Sequence, residues 1–259
     1  MATPPPFDKR SLRRAARNAR WVHWLSRRWL VFMLVFLFLY VGLALTAPVL
    51  MHTGHTHAAD ALYKLYAPLC HQFAFRSWFF FGEQPAYPRA ASGTDWGTFE
   101  EYASRDPFFE GVDLYQWTAD LQLRARAFRG NEEMGYKAAL CQRDIAIYSA
   151  MFLFGLLFTR VRRWLRPTPL WLYLILGLMP IGLDGFSQLF SYPPFEFWPV
   201  RETLPIFRTL TGALFGAMNG WLAFPYLEES MREISASAQR KIAHAEALLV
   251  ELRAEPGSE

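Results

Sequence analysis

The chain has 259 residues, 53% of them hydrophobic, and a formal net charge of +4 from 27 Lys and Arg against 23 Asp and Glu. Its apolar residues come in blocks and its arginines gather at block ends, the pattern of a bilayer protein. The basic excess has no zinc-finger, RRM or helix-turn-helix signature beside it, so nucleic acid is set aside and the lipid bilayer is the expected partner.

Residues 1–28 form a basic N-terminal segment, in which the Pro-rich start (residues 2–6) reads as disordered and residues 12–29 as an amphipathic helix on the inner membrane surface. Residues 29–50 are uncharged and long enough to span, since a crossing needs roughly 20 apolar residues. The core is too long for a cleaved signal peptide, so this helix is expected to be retained. His52, His55 and His57 follow it. Three imidazoles this close can hold Cu or Zn, and they equally fit a solvated loop.

The segment 51–138 is more acidic than basic. It is expected to hold helices over 58–69, 99–104, 114–128 and 132–140, with Asp113 capping the third and a loop over 82–97. Further apolar blocks cover 145–158, 170–190 and 207–227. The first of these reaches spanning length only if its helix starts near Ala138. Gly212, Gly216 and Gly220 make a stripe of small residues for close helix packing, within a compact bundle or against a membrane-protein partner. Beyond Glu228 the chain is charged but keeps an apolar stripe, Met231, Ile234, Ala238, Ile242, Ala245, Leu249 and Leu252, which extends the helix into an amphipathic tail over 228–259. That tail can lie on the protein's own inner face or on lipid, or pair with a partner as a short coiled coil. No internal repeat is present.

Lys and Arg placement orients the chain. Basic residues crowd 9–28 and 160–166, while 51–138 is acidic and 191–206 nearly neutral. The expected fold is an all-α, four-helix transmembrane bundle over 29–227, with an extracytoplasmic helical insertion and a cytoplasmic C-terminal helix. The expected location is the cell membrane, multi-pass, with both termini cytoplasmic.

Both cysteines sit in short polar motifs at the outer end of apolar stretches, Cys70-His71-Gln72 and Cys141-Gln142-Arg143-Asp144. Counting up from the inner ends of their helices puts Asp144 and Asp184 each about 21 Å along, at one level within the outer part of the bilayer. Buried carboxylates there need protons, cations or a metal. Four readings stand side by side. Cys70 and Cys141 can form a disulfide. Cys70, His71, Cys141, Asp144 and Asp184 can supply a metal site of zinc type, with Gln72, Arg76, Arg143, Gln188 and Arg208 around it. Arginines (Arg143, Arg76 or Arg208) can neutralise the carboxylates with no metal. A catalytic Cys-His pair ranks last, because adjacent residues do not ordinarily present their side chains to each other.

The ordered set of motifs resembles an uncharacterised family of prokaryotic multi-pass membrane proteins classed as a domain of unknown function. It comprises 66–72 through Cys-His-Gln, then Arg76-Ser77-Trp78-Phe79-Phe80-Phe81-Gly82, Cys141-Gln142-Arg143-Asp144, Asp184-Gly185-Phe186-Ser187-Gln188 and Thr211-Gly212-Ala213-Leu214-Phe215-Gly216. The resemblance spans most of 63–227 and implies a membrane location with no established activity. In this family the third motif is Cys-x-Arg-Cys, where this chain has Asp144. Cys and Asp both ligate zinc, whereas only Cys forms a disulfide, so the exchange favours a ligand position; a carboxylate here also suits a partner for Arg143.

Three functions follow as expectations. The first is a structural or accessory membrane protein, not an enzyme, with its outer Cys/His/Asp cluster held by a metal or a disulfide. The second is a membrane-embedded metal-dependent hydrolase acting on lipid or lipid-linked substrates. The third is a metal or proton transporter, weakened by the scarcity of polar residues inward of Asp184.

Overall fold

The computed structural model describes residues 8–254; the Pro-rich start lies outside them. Helix α1 runs unbroken from Lys9 to His52, capped by the Asp8 side chain on the Arg10 amide at 3.0 Å. The basic segment and the first apolar block are therefore one rod of about 66 Å, more than twice a ~30 Å hydrocarbon core. This corrects the expectation of a separate surface helix over 12–29. A separate helix would need a break near residue 29, and no Gly or Pro stands there.

Among the described residues three helices are long and apolar enough to cross a membrane: α1, α5 (Gln142–Val161) and the segment Leu170–Leu189. The last comprises α6 (Leu170–Leu172), a π-helical stretch over Tyr173–Leu178 and α7 (Met179–Leu189). Helix α8 (Pro205–Ala254) covers the block 207–227, where a fourth span is expected, and falls short of that apolar composition. It packs along both α5 and α1, and its polar residues Arg208 and Asn219 are met by Glu202 and Gln188 and by the Tyr173 hydroxyl.

The glycine stripe of α8 faces α5. A Cβ on Gly216 would lie 2.1 Å from the Ile147 carbonyl oxygen, one on Gly212 2.8 Å from that of Arg143, and one on Gly220 2.7 Å from the Phe154 ring. The stripe is thus filled by α5 within the chain. Gly216→Ala should cost about 1–3 kcal/mol, since backbone must move to admit the methyl. Gly182→Ala, where nothing lies within 4 Å, should be neutral. Thermal unfolding of the two purified variants checks the contrast.

Beyond the apolar core, the N-terminal half of α1 and the C-terminal half of α8 lie side by side. Leu12, Ala16 and Ala19 of α1 are buried, as are Ala238 and Ala245 of α8. Arg20 bonds Glu246 at 2.6 Å and Ser235 bonds His23 at 2.9 Å. Ala238 and Ala245 of the tail's apolar stripe are thus used on the protein's own basic helix, while Ile234 stays exposed.

Between α1 and α5 lies the insertion. It comprises helix α2 (Thr56–Tyr66), strand β1 (Ser77–Phe80), helices α3 (Phe99–Ala103) and α4 (Ala119–Ala127), and strands β2 (Gly130–Asn131) and β3 (Gly135–Cys141); β1, α3 and α4 share a core rich in Phe, while α2 and β3 pack on α1. The strands make an antiparallel sheet in the order β1-β3-β2. The chain is mostly helical and not all-α: of the expected helix over 132–140, residues 132–134 are a turn and the rest belongs to β3. Lys137-Ala138-Ala139-Leu140 favours helix locally, and strand pairing on both sides overrides that preference. Helix α4 starts after Thr118, which caps the Leu121 amide at 3.1 Å, five residues later than the Asp113 cap expected. The Asp113 carboxylate closes a turn onto the amides of Tyr115 and Gln116.

A buried ion pair stiffens the insertion. Arg89 Nε bonds Glu100 at 2.9 Å, and its Nη2 donates to the carbonyls of Leu114 and Tyr115 at 2.8 Å each. Lys137 is also fully buried, and its Nζ donates to the carbonyls of Gln72, Ala125 and Arg126. Burial, and then the Arg129 guanidinium, pull this ammonium well below its ordinary range. The three carbonyls act in the opposite sense, because only the charged form has three N–H donors.

Candidate metal centre

Two chain segments build the site. After α2 the backbone tightens, with the Cys70 amide bonding the Tyr66 carbonyl at 3.0 Å. It then turns at Gln72, whose φ of 54° is unusual for a residue with a side chain. Gln72 is held there from both sides: its Nε2 donates to the Tyr63 carbonyl at 2.9 Å and its own carbonyl accepts from Lys137. The second segment is the junction of β3 and α5. Ser77 pairs with Cys141 at the end of the ladder, and Cys141 is also the N-cap of α5, its Sγ accepting from the Asp144 amide at 3.4 Å. Strand pairing and helix capping together fix this cysteine. The expected helix start near Ala138 is accordingly corrected to Gln142.

The Cys141 amide donates to Cys70 Sγ at 3.3 Å, and both thiols are free. Cys70 Sγ, Cys141 Sγ and an Asp144 carboxylate oxygen all lie within 4.8 Å of one another. Among the described residues this is the one group of three or more Cys, His, Asp or Glu so placed. The hydrogen bond with the Cys141 thiol and burial push the Cys70 thiol far above its ordinary range. The Asp144 carboxylate takes part in no hydrogen bond or ion pair among the described residues, in contrast to Asp184.

The remaining sequence candidates lie elsewhere. His71 is exposed, its ring against Phe73 at 5.4 Å between centroids. His52, His55 and His57 are exposed and do not converge; His52 stacks on Phe81 at 4.2 Å and His55 bonds Thr53. Asp184 faces the protein interior but belongs to an arginine network. It accepts from Arg143, from Arg201 at 3.3 Å and from Thr203 Oγ1 at 2.6 Å. Arg143 thus pairs with the carboxylate on the neighbouring helix, leaving Asp144 beside the thiols.

A second buried carboxylate, Glu202, extends this network. It accepts from Arg208, Arg76, Gln188 and Tyr192, with the Arg76 bond at 2.8 Å. Arg208 also donates to Gln188 Oε1 and to the Thr203 carbonyl, both at 3.1 Å. Arg76, Arg143, Gln188 and Arg208, expected around a metal, therefore serve the two carboxylates. Glu202, Arg201, Thr203 and Tyr192 were not singled out in the sequence. Arg201 and Glu202 are adjacent and cancel, so the 191–206 link looks neutral and carries no charge signal.

Burial alone would raise the Glu202 carboxyl, but the guanidinium groups of Arg76 and Arg208 outweigh it and hold it below the usual range. Burial, and then the Glu202 carboxylate, push the Tyr192 phenol up to about 12. A depressed carboxyl pKa stabilises the fold fully above the ordinary value of 4.5 and is lost as pH falls through the lower folded value. Thermal midpoints should hold above that value and decline below it. The decline should shrink in Glu202→Gln when both proteins are followed down an acid series.

Residues 122–222 match the family described as predicted membrane protein (DUF2085). Together with the three apolar helices, this supports an integral membrane protein. The matched segment holds Cys141, Asp144, Asp184, Gln188, Arg208 and the glycine stripe of α8; Cys70 and His71 precede it. No curated protein and no solved structure matches the chain.

Proposed function

We propose that this is a four-span membrane protein with both termini cytoplasmic. In this reading Cys70, Cys141 and Asp144 hold a divalent ion of zinc type that clamps the extracytoplasmic domain to the bundle, in a structural or accessory role. The observation that carries the reading is the convergence of two thiols and an otherwise unpartnered carboxylate within 4.8 Å. Cys70 and Asp144 come from segments more than seventy residues apart in the chain, so an ion joining them ties the turn after α2 to the head of α5. Thiolate and carboxylate oxygen are both ordinary zinc ligands.

The ligand count supports a second reading. Three protein ligands leave the fourth position of a tetrahedral ion to water, as in catalytic zinc sites, and such a water hydrolyses esters or amides when a base is near. The structural role is preferred because Asp184, the other carboxylate at this level, is tied up by Arg143, Arg201 and Thr203 and is not free to act as that base.

Elemental analysis of the detergent-purified full chain, with a thiol count on the same sample, tests the proposal. The wild type should retain zinc. Cys70→Ser, Cys141→Ser and Asp144→Ala should lose it, and Asp184→Asn should keep it. A Cys70–Cys141 disulfide in the wild type, or undiminished metal in Cys141→Ser, contradicts the proposal. Release of product from a lipid phosphoester by the zinc-loaded protein would favour the hydrolase.

A further inference from the structure

At the opposite end of the bundle from the two cysteines, α1, α8 and the residues following α5 enclose a cavity of about 300 Å³. Arg27, Arg162, Arg163 and Arg232 line it, with Glu228 as the one acidic residue and Ser26 and Ser235 among the polar ones. Glu228 is buried and already satisfied. Its carboxylate accepts from Trp29 Nε1 at 2.9 Å and Arg232 Nε at 2.8 Å, and Arg162 Nε lies at 3.9 Å. Both arginines meet it through Nε, so their terminal amino groups have no protein acceptor among the described residues. Arg27 and Arg163 have no ion pair among the described residues at all. Four arginines therefore line the cavity against one carboxylate, Arg27 and Arg163 being exposed, and protein partners among the described residues use few of their donors.

We infer that this cavity binds a phosphate group. Guanidinium groups match phosphate oxygens in geometry and charge, and several converging on one volume have no equal need for a neutral ligand. Position points to the source. Arg27 lies just before the apolar block of α1, Arg162 and Arg163 just beyond α5, and Glu228 just past the apolar part of α8. The cavity thus sits where hydrocarbon gives way to headgroups, the level of an anionic phospholipid's phosphate. A soluble phosphate ester presents the same chemistry from the aqueous side. This inference is independent of the metal site.

The test uses the full chain in detergent, titrated with phosphatidylglycerol, phosphatidylcholine or inorganic phosphate and read by native mass spectrometry. Arg27→Gln/Arg163→Gln removes two lining charges and spares the Glu228 contacts. Arg13→Gln/Arg14→Gln removes two charges farther along α1, outside this cavity. Phosphatidylglycerol should bind more tightly than phosphatidylcholine, and the cavity variant should weaken it by about tenfold or more, given the usual worth of a basic residue near anionic lipid. The distal variant should bind almost as wild type. Tight binding of inorganic phosphate, lost in the cavity variant alone, would support the site and assign it to a soluble ester. Equal binding of the two lipids with no phosphate binding would overturn the inference, as would equal losses in the two variants.

Discussion

Glu202→Gln should lower the stability of the folded protein by about 3–5 kcal/mol, the usual effect of removing one partner from a buried charge pair. The glutamate is only 3% exposed and Arg208, its partner, 5%. Removing the negative charge leaves the Arg208 and Arg76 guanidiniums without their common counter-ion, in a place where water cannot replace it. The amide still accepts hydrogen bonds, so the loss isolates charge from shape. Glu246→Gln is the comparison: its pair with Arg20 is more than half exposed on both sides, and such a pair contributes about 1 kcal/mol or less. Unfolding of the two purified variants by heat or denaturing detergent should separate them widely. Similar small losses in both would mean that the network around Glu202 does not hold the helices together.

Zinc should raise the unfolding temperature of metal-stripped wild-type protein, and should leave Cys141→Ser unchanged. A ligand that binds only the folded state stabilises it by about 4 kcal/mol at a concentration a thousandfold above its dissociation constant. Here the ion would cross-link a turn and a helix start that are otherwise joined by the Cys141 amide on Cys70 Sγ. Asp184→Asn should behave differently. It leaves Arg143 and Arg201 without their carboxylate, so it should destabilise the protein with and without metal while zinc still produces its shift. A zinc response that disappears in Asp184→Asn but persists in Cys141→Ser would move the site to the arginine network.

The long uncharged run 29–50 was legible as a span because composition alone specifies it. The insertion was less so. β3 carries helix-favouring residues, and what makes it a strand is pairing with Ser77–Phe80 on one side and Gly130–Asn131 on the other, which no local pattern announces. The close pairing of Cys70 with Cys141 followed from two motifs at one membrane level. The separation of Asp144 from Asp184 did not, because both carboxylates lie near Arg143 in depth and only the side-chain geometry shows which of them it reaches. The glycine stripe of α8 was legible as a packing surface, and its partner, α5, was not. His71 followed Cys70 in sequence but points elsewhere, as alternation along an extended turn allows.

X-ray absorption at the zinc edge of the purified full-length protein tests the central claim most directly. The site described by Cys70, Cys141 and Asp144 should give sulfur scatterers at about 2.3 Å together with oxygen at about 2.0–2.2 Å. A shell of nitrogen and oxygen without sulfur would contradict it, placing any bound zinc away from the two cysteines.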